Sequence, residues 1–246
     1  MTLKSSLKVQ ITSLIAILLA LFPGLTASGQ TSVGTAARRS QNSAKTIEVV
    51  TGMPEDETIP IELFKRAQAI AVFPDVVKTS VLFSKGLKGY GAVSIRQAEG
   101  WSLPAYYRYG RATFTLKLAS FESFDLILLF MSKDTLNWFQ EGRFEFKEFR
   151  AGVGGPIGKL TKQADLEMSG AGVIMYMLVD GKLKGTAVNS DIFDGAYIDP
   201  DNNINKAVYG MKGREVLQGK APKAIPTTSG FTAFRDILNE KFPVSK

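Results

Sequence analysis

Five basic side chains between residues 65 and 88 are the strongest candidates for chemistry in this sequence. They lie near a glycine-rich turn, and they are Lys65, Arg66, Lys78, Lys85 and Lys88. If these side chains converge, they can hold phosphate groups through charge-assisted hydrogen bonds. The alternative is a solvated strand edge, which lysine commonly protects. Trp101 is a further candidate, either as an anchor at a bilayer interface or as a buried core residue.

Histidine and cysteine do not occur among the 246 residues of the sequence. Histidine-containing catalytic triads, thiol nucleophiles and zinc sites built from these ligands are therefore excluded. An enzyme made of the remaining residue types would depend on carboxylate, lysine or tyrosine chemistry. Because the chain has 23 acidic residues, an exported carboxylate-based hydrolase of polysaccharide or lipid stays open as an alternative. The sequence indicates neither catalysis nor a cofactor.

A glycine-rich stretch at Gly152–Lys159 has the composition of a phosphate-binding loop but not its spacing. Val153 stands where such a loop needs its first glycine. Leu160 stands where the loop needs the serine or threonine that holds magnesium. We therefore interpret this stretch as a kinked strand and a tight turn.

Acidic and amide residues alternate from Asp199 to Asn205, as they do in a calcium-binding loop. However, Ile204 occupies the position of the essential glycine, and Gly210 occupies that of the bidentate glutamate. A turn followed by a helix that is capped by an Asx side chain explains the same residues. We predict no metal site here.

The first 29 residues have the features of an export signal. Lys4 and Lys8 precede an apolar core at Ile11–Phe22, which is too short to span a bilayer as a stable helix. Small residues at positions 27–29 favour cleavage after Gly29; an uncleaved anchor is the alternative. We expect a periplasmic or extracellular protein that is peripheral to a membrane. Cleavage lowers the formal charge from +7 to +5, which still favours an anionic partner.

β-branched and aromatic runs of strand length dominate the rest of the chain. They follow one another at intervals of about ten residues without long helices between them, which is typical of antiparallel meanders. The predicted strands are Ala69–Phe73, Val76–Ser84, Tyr90–Ile95, Trp101–Tyr109, Ala112–Leu118, Phe124–Met131, Phe144–Val153, Leu160–Met168, Val173–Val179 and Thr186–Ile192.

Helical patterns flank and interrupt this β region. They predict a helix from Pro60 to about Gln68, a short helix that Ser132 caps, which runs through Gln140, and a last helix at Phe231–Lys241. Residues 30–58 read as a flexible segment, in which a disordered stretch to Asn42 precedes a weak helix and an acidic linker. We predict one α+β domain at residues 59–246, dominated by antiparallel, strongly curved or barrel-like β-structure, with helices near its N- and C-terminal ends.

Two segments of the chain carry a recognisable family pattern. The first begins at Lys65–Pro74 (KRAQAIAVFP), continues through Gly86 and Gly89–Gly91, and ends at Trp101–Ala105 (WSLPA). The second is Pro200–Gly210 (PDNNINKAVYG). Together these motifs resemble those of the SYLF domain family.

The resemblance covers about residues 61–210, and it departs from the family pattern in two places. Ala112–Ser120 lacks the usual glycines, and Gly181–Gly185 carries lysines inside its glycine frame. The resemblance implies non-catalytic binding of anionic or phosphoinositide-like lipid at a membrane surface. Eukaryotic members bind phosphoinositides, and fungal members also bind actin, which an exported chain would not meet. We expect no nucleic-acid partner, and a structural envelope protein without a small ligand is the remaining alternative.

Overall fold

The computed structural model describes residues 24–81, 84–111, 123–146, 152–185, 195–220, 222 and 230–244. The helices within these ranges are α1 (Gly24–Thr51), α2 (Ile61–Arg66), α3 (Lys133–Glu141), α4 (Lys162–Glu167), α5 (Asn202–Tyr209), α6 (Gly213–Leu217) and α7 (Ala233–Lys241). The strands are β1 (Ala69–Val81), β2 (Ser84–Gln97), β3 (Gly100–Trp101), β4 (Ala105–Arg111), β5 (Ser123–Phe130), β6 (Phe144–Glu145), β7 (Gly152–Gly154), β8 (Val173–Val179), β9 (Lys182–Lys184) and β10 (Ala196–Pro200).

These strands form one sheet in the order β6-β10-β4-β2-β1-β5-β8-β7, with β3 added to β2 and β9 added to β8. Neighbouring strands are antiparallel, except that β7 and β8 are parallel. The sheet curls into a half-barrel, with helices near the N- and C-terminal ends of the chain. The predicted α+β class and the strongly curved, mainly antiparallel sheet are confirmed.

Aromatic side chains fill the inner side of the curved sheet. The ring of Phe130 on β5 meets the ring of Phe144 on β6 with their centroids 6.0 Å apart, although four strands separate β5 from β6 in the sheet. Phe73 and Tyr109 also meet, at 6.0 Å, across the middle of the sheet. Because alternate residues of a strand face the same side, the inward residues of β1, β4 and β5 build one continuous core.

Helix α1 packs on the outer side of the sheet through small residues. The Ser43 hydroxyl donates to the Val72 carbonyl at 3.2 Å, and Ser40 accepts from the Phe234 N–H on α7 at 3.0 Å. The prediction of disorder from Gln30 to Asn42 is wrong, because those residues are helical. Alanine and serine bury little apolar area, so the sequence of this segment gave no strong apolar helical pattern. Their small size lets the helix approach β1 closely.

A bulge divides β1 at the point where the sequence predicted a break between two strands. Asp75 has a φ of 49°, and its N–H donates to the Asp125 carboxylate at 3.0 Å. The other Asp125 oxygen accepts from the Thr46 hydroxyl of α1 at 2.7 Å. The predicted strands on either side of Pro74 are therefore one strand, and Asp125 fastens its bulge to α1.

Other boundaries follow local signals. The strand at Val173–Val179 and the Ser132 cap, which accepts from the Thr135 N–H at 3.2 Å, are confirmed. The strand predicted at Leu160–Met168 is wrong, because Thr161 caps helix α4 in that stretch. Its Lys-Gln-Ala-Asp-Leu-Glu sequence is made largely of good helix formers and has no β-branched residue. The strands predicted at Ala112–Leu118 and Thr186–Ile192 lie outside the described residues, as does the middle of Phe144–Val153.

Burial gives the protein a strong expected response to alkaline pH. Desolvation raises the pKa of five of the seven tyrosines above the ordinary value of 10, namely Tyr106, Tyr107, Tyr109, Tyr176 and Tyr209. Above about pH 10 the unfolded chain releases these protons and the folded chain does not, so stability falls as the pH rises. Each tyrosine contributes up to about 1.4 kcal/mol per pH unit, so we expect cooperative unfolding on the alkaline side of pH 10.

Tyrosinate absorbance and circular dichroism should therefore change together in one alkaline titration. Gradual ionisation of the buried tyrosines in a protein that keeps its folded spectrum would contradict this expectation.

Candidate lipid-binding surface

The β1–β2 hairpin brings the three predicted lysines of these strands to one end of the sheet. Lys78 pairs with Leu87, Lys88 pairs with Val77, and Lys85 pairs with Ser80 closer to the turn. Paired residues share a face and successive residues alternate, so Lys78 lies on the inner side and Lys88 on the outer side. Lys78 is half-buried and Lys88 is exposed. The two lysines therefore flank the hairpin rather than converging on one face.

The Tyr90 ring on the outer face lies between two cations, Lys88 and Arg39. The Lys88 ammonium lies 5.0 Å from the centre of the Tyr90 ring, and the Arg39 guanidinium lies 4.4 Å from it. Arg39 also binds the Asp201 carboxylate at 2.8 Å, and Arg108 binds that of Asp199. Two acidic residues of the apparent calcium loop, Asp199 and Asp201, are thus paired with arginines, while Lys88 is exposed.

Lys65, Arg66 and Trp101 do not join the hairpin lysines. Lys65 and Arg66 end α2, just before β1 begins, and β1 spans about 40 Å at ~3.3 Å per residue. The Arg66 guanidinium binds Asp165 on α4 at 2.5 Å. The predicted set of basic residues is therefore divided between opposite ends of the sheet.

Trp101 is a core residue with 3% of its surface exposed. Its indole N–H donates to the Phe242 carbonyl at 2.9 Å, and the Arg96 guanidinium stacks 4.4 Å from its ring. These contacts support burial, which was the alternative to an interfacial anchor for this residue.

The two family signatures contact each other through Asn205 and Tyr209. The Asn205 amide oxygen accepts from the Tyr106 N–H at 2.9 Å, and its amide nitrogen donates to the Tyr106 carbonyl at 2.8 Å. The Tyr209 hydroxyl donates to the Pro104 carbonyl at 2.5 Å. Gly210 ends α5 with a φ of 72°, which favours glycine. These signature residues hold α5 against the start of β4, so their role is structural.

The glycines of the first signature allow strands to approach closely. A Cβ atom at Gly91 would lie 1.8 Å from the Val72 carbonyl oxygen, and one at Gly86 would lie 2.3 Å from that of Arg111. A Cβ at Gly89 would meet the Val76 side chain at 2.7 Å. The absence of a side chain at these three positions therefore allows the sheet to curl tightly.

Arg111, at the hairpin end of β4, was not singled out from the sequence. It has 8% of its surface exposed, and its Nε and Nη1 atoms have no hydrogen-bond partner among the described residues. It shares the inner face with Tyr107 and Tyr109, because all three lie at alternate positions of β4. That period of two was a usable signal, but the strand predicted at Trp101–Tyr109 ended before Arg111.

A cavity of about 320 Å³ lies apart from the hairpin, where α1 leads into α2. Ile59, Phe64 and Leu160 contribute apolar walls, and the exposed carboxylates Glu55 and Glu62 stand at its rim. Among the residues that the structure describes, no group of three or more acidic side chains is arranged to hold a metal ion. None of the described helices is both long and apolar enough to cross a membrane.

Comparison with known families identifies the domain. The family model described as Ysc84, the Las17-binding protein actin regulator, matches residues 117–241, which is just over half of the chain. This match includes the second signature at Pro200–Gly210, whose asparagine and tyrosine hold α5 on β4. None of the curated proteins matches the chain. The chain therefore belongs to the Ysc84 family, whose domain is the SYLF domain.

Proposed function

We propose that this protein binds anionic phospholipid, including phosphoinositide-like lipid, at a membrane surface and catalyses no reaction there. Lipid and actin binding are the known activities of the family, which supports a binding role. The proposed surface is the turn end of the β1–β2 hairpin. Export through the N-terminal signal would place this surface at a membrane outside the cytoplasm, away from actin.

The observation that carries the proposal is the placement of cations on both sides of one hairpin. Lys78 lies on the inner side and Lys88 on the outer side, with the 41%-exposed side chain of Val77 directly opposite Lys88. A hairpin that meets a bilayer with its turn first would bring both lysines, and Lys85 nearer the turn, to the lipid headgroups. Each basic residue near an anionic bilayer contributes about 1 kcal/mol of attraction.

Replacing Lys78, Lys85 and Lys88 together by glutamine should lower the partition constant for anionic vesicles by about two orders of magnitude. Co-sedimentation with phosphatidylglycerol vesicles, compared with phosphatidylcholine vesicles, measures this effect. Added salt should weaken the binding of the unmodified protein, because the Debye length shortens to about 8 Å at physiological ionic strength.

A matched control removes the same charge from the opposite end of β4. Lys206, Lys212 and Arg214 are exposed on or beside α5 and α6, which pack near Ala105 rather than Arg111. Their joint replacement by glutamine should leave vesicle binding within a few fold of the unmodified protein. Equal binding to anionic and neutral vesicles, or equal losses in both triple variants, would refute the proposed surface.

A further inference from the structure

Arg111 is a buried cation at the lysine-bearing end of the sheet. Its register partners are Leu87 on β2 and Ala196 on β10, and Leu87 in turn pairs with Lys78 on β1. None of these four residues, which the structure describes, is acidic. The guanidinium is largely removed from water, and its Nε and Nη1 have no partner within the described ranges. A buried charge without a partner is strongly unfavourable, so an anion bound at Nε and Nη1 would stabilise this arrangement.

Two other arginines of the chain that are partly buried have partners within it. Arg39 binds the Asp201 carboxylate at 2.8 Å. Arg96 donates to the carbonyls of Ala67 and Phe64 at 3.0 Å each while it stacks on Trp101. Arg111 differs from these two arginines. Its Nε and Nη1 donate a hydrogen bond to no carboxylate or carbonyl of the described residues.

Lys78 stands in the same row on the same side of the sheet. Two strand spacings of about 4.8 Å separate its backbone from that of Arg111, so side chains of this length can reach one group between them. The planar guanidinium fork suits the paired oxygens of a phosphate, and an ammonium adds a point charge. The apolar Leu87 side chain between them would exclude water from below.

We propose that Arg111 and Lys78 form a binding site for a single phosphate group at the hairpin end of the half-barrel. This inference rests on the proposed function and deepens it, since the group it would take is the phosphate of an anionic lipid headgroup. A free phosphate has the same chemistry, and the experiment below separates the two sources. Arg111 binds the phosphate oxygens from inside the sheet, and Lys78 closes the site from the rim.

The test compares the R111L, R111K and R108L variants with the unmodified protein. Arg108 is the matched control, because it lies on the same strand but faces outward, exposed and paired with Asp199. Thermal unfolding is recorded without ligand, with inorganic phosphate, and with a soluble short-chain phosphatidic acid. At about a hundredfold excess over Kd, a ligand of the folded state should raise the Tm of the unmodified protein by roughly 5 °C or more.

We expect R111L to keep or raise the Tm of the ligand-free protein and to lose the response to phosphate. R111K keeps the charge without the fork and should bind about tenfold more weakly, whereas R108L should respond as the unmodified protein does. A ligand-free R111L that melts several degrees lower, or does not fold, would show that a group of the chain itself already pairs with Arg111. That result would overturn the inference, as would an undiminished response of R111L to both probes.

The two probes and the vesicles separate the possible outcomes. Stabilisation by the soluble lipid alone identifies a lipid headgroup, and stabilisation by both probes identifies phosphate in general; both support the site. If neither probe stabilises the unmodified protein, the site is refuted. Anionic vesicles that still bind R111L fully, but not the triple lysine variant, would leave the proposed function intact while refuting the role of Arg111.

Discussion

Replacing Asn205 with alanine should lower the free energy of unfolding by about 3 kcal/mol and the Tm by roughly 6–12 °C. Asn205 is fully buried, and its amide makes three hydrogen bonds, to the N–H and carbonyl of Tyr106 and to the Asp201 carbonyl. In the variant, both carbonyls would still accept a backbone hydrogen bond. The Asp201 N–H donates to the Tyr106 carbonyl, and the N–H of residue 205 donates to the Asp201 carbonyl. The Tyr106 N–H would keep no partner among the described residues. This buried, unsatisfied donor accounts for much of the lost stability.

The reason for this effect lies in how the sheet ends. The register of β10 against β4 stops at the pair Pro200 and Tyr107, so Tyr106 has no β10 residue beside it. The Asn205 amide accepts from its N–H and donates to its carbonyl, as a residue of an antiparallel strand would. Asn205 thus extends the ladder by one side chain.

Asn203 provides the matched control, because it lies on the same helix with its side chain exposed. Its replacement by alanine should change the free energy of unfolding by less than about 0.5 kcal/mol. Urea denaturation of both variants measures the difference. Equal stabilities for the two variants would refute the proposal that the Asn205 amide replaces a strand residue beside Tyr106.

Replacing Gly91 with alanine should have a still larger effect, a loss of more than about 4 kcal/mol or failure to fold. The added Cβ would lie 1.8 Å from the Val72 carbonyl oxygen and 2.8 Å from the Phe73 Cα atom. Both are backbone atoms of β1 just before its bulge, so no side-chain rotation can relieve the overlap. Strands β1 and β2 would have to separate at the centre of the sheet.

Gly34 is the control for this substitution, because a Cβ atom there meets nothing within 4 Å. It lies in α1, where alanine is favoured over glycine by up to about 1 kcal/mol. The G34A variant should therefore melt a few degrees higher than the unmodified protein, while G91A gives little soluble protein. A G91A variant that folds with unchanged stability would contradict the close approach of the two strands.

The curved antiparallel sheet was predictable from sequence because its strands are β-branched and aromatic runs at regular intervals. Local errors arose where composition and tertiary contact disagree. The segment from Gln30 to Asn42 reads as polar, and its serines and alanines become a packing face only when β1 and α7 are beside it. The Leu160–Met168 run has strand length, but Thr161 and the helix formers after it decide its structure.

The candidate site was predictable only in part. Lys78, Lys85 and Lys88 lie near one another in sequence and come together in a hairpin, so their shared end of the sheet follows from local pairing. Lys65 and Arg66 are equally near in sequence, yet the length of β1 carries them away. The contact of Asn205 with Tyr106 joins residues 99 positions apart, and Arg111 pairs with Ala196 on β10, which is about as distant along the chain. Neither can be derived from spacing along the chain.

The pairing of β4 with β10 also affects how the chain folds. Tyr109 pairs with Ile198, about 90 residues later, so the ladder closes only after most of the chain has found its place. Long-range pairing of this kind places folding in the millisecond-to-second regime rather than the microsecond regime of helical bundles. Until β10 docks, the edge of β4 exposes unpaired backbone groups that can pair with another molecule. Refolding yield should therefore depend on protein concentration, with dilute solution favouring the native sheet over intermolecular strands.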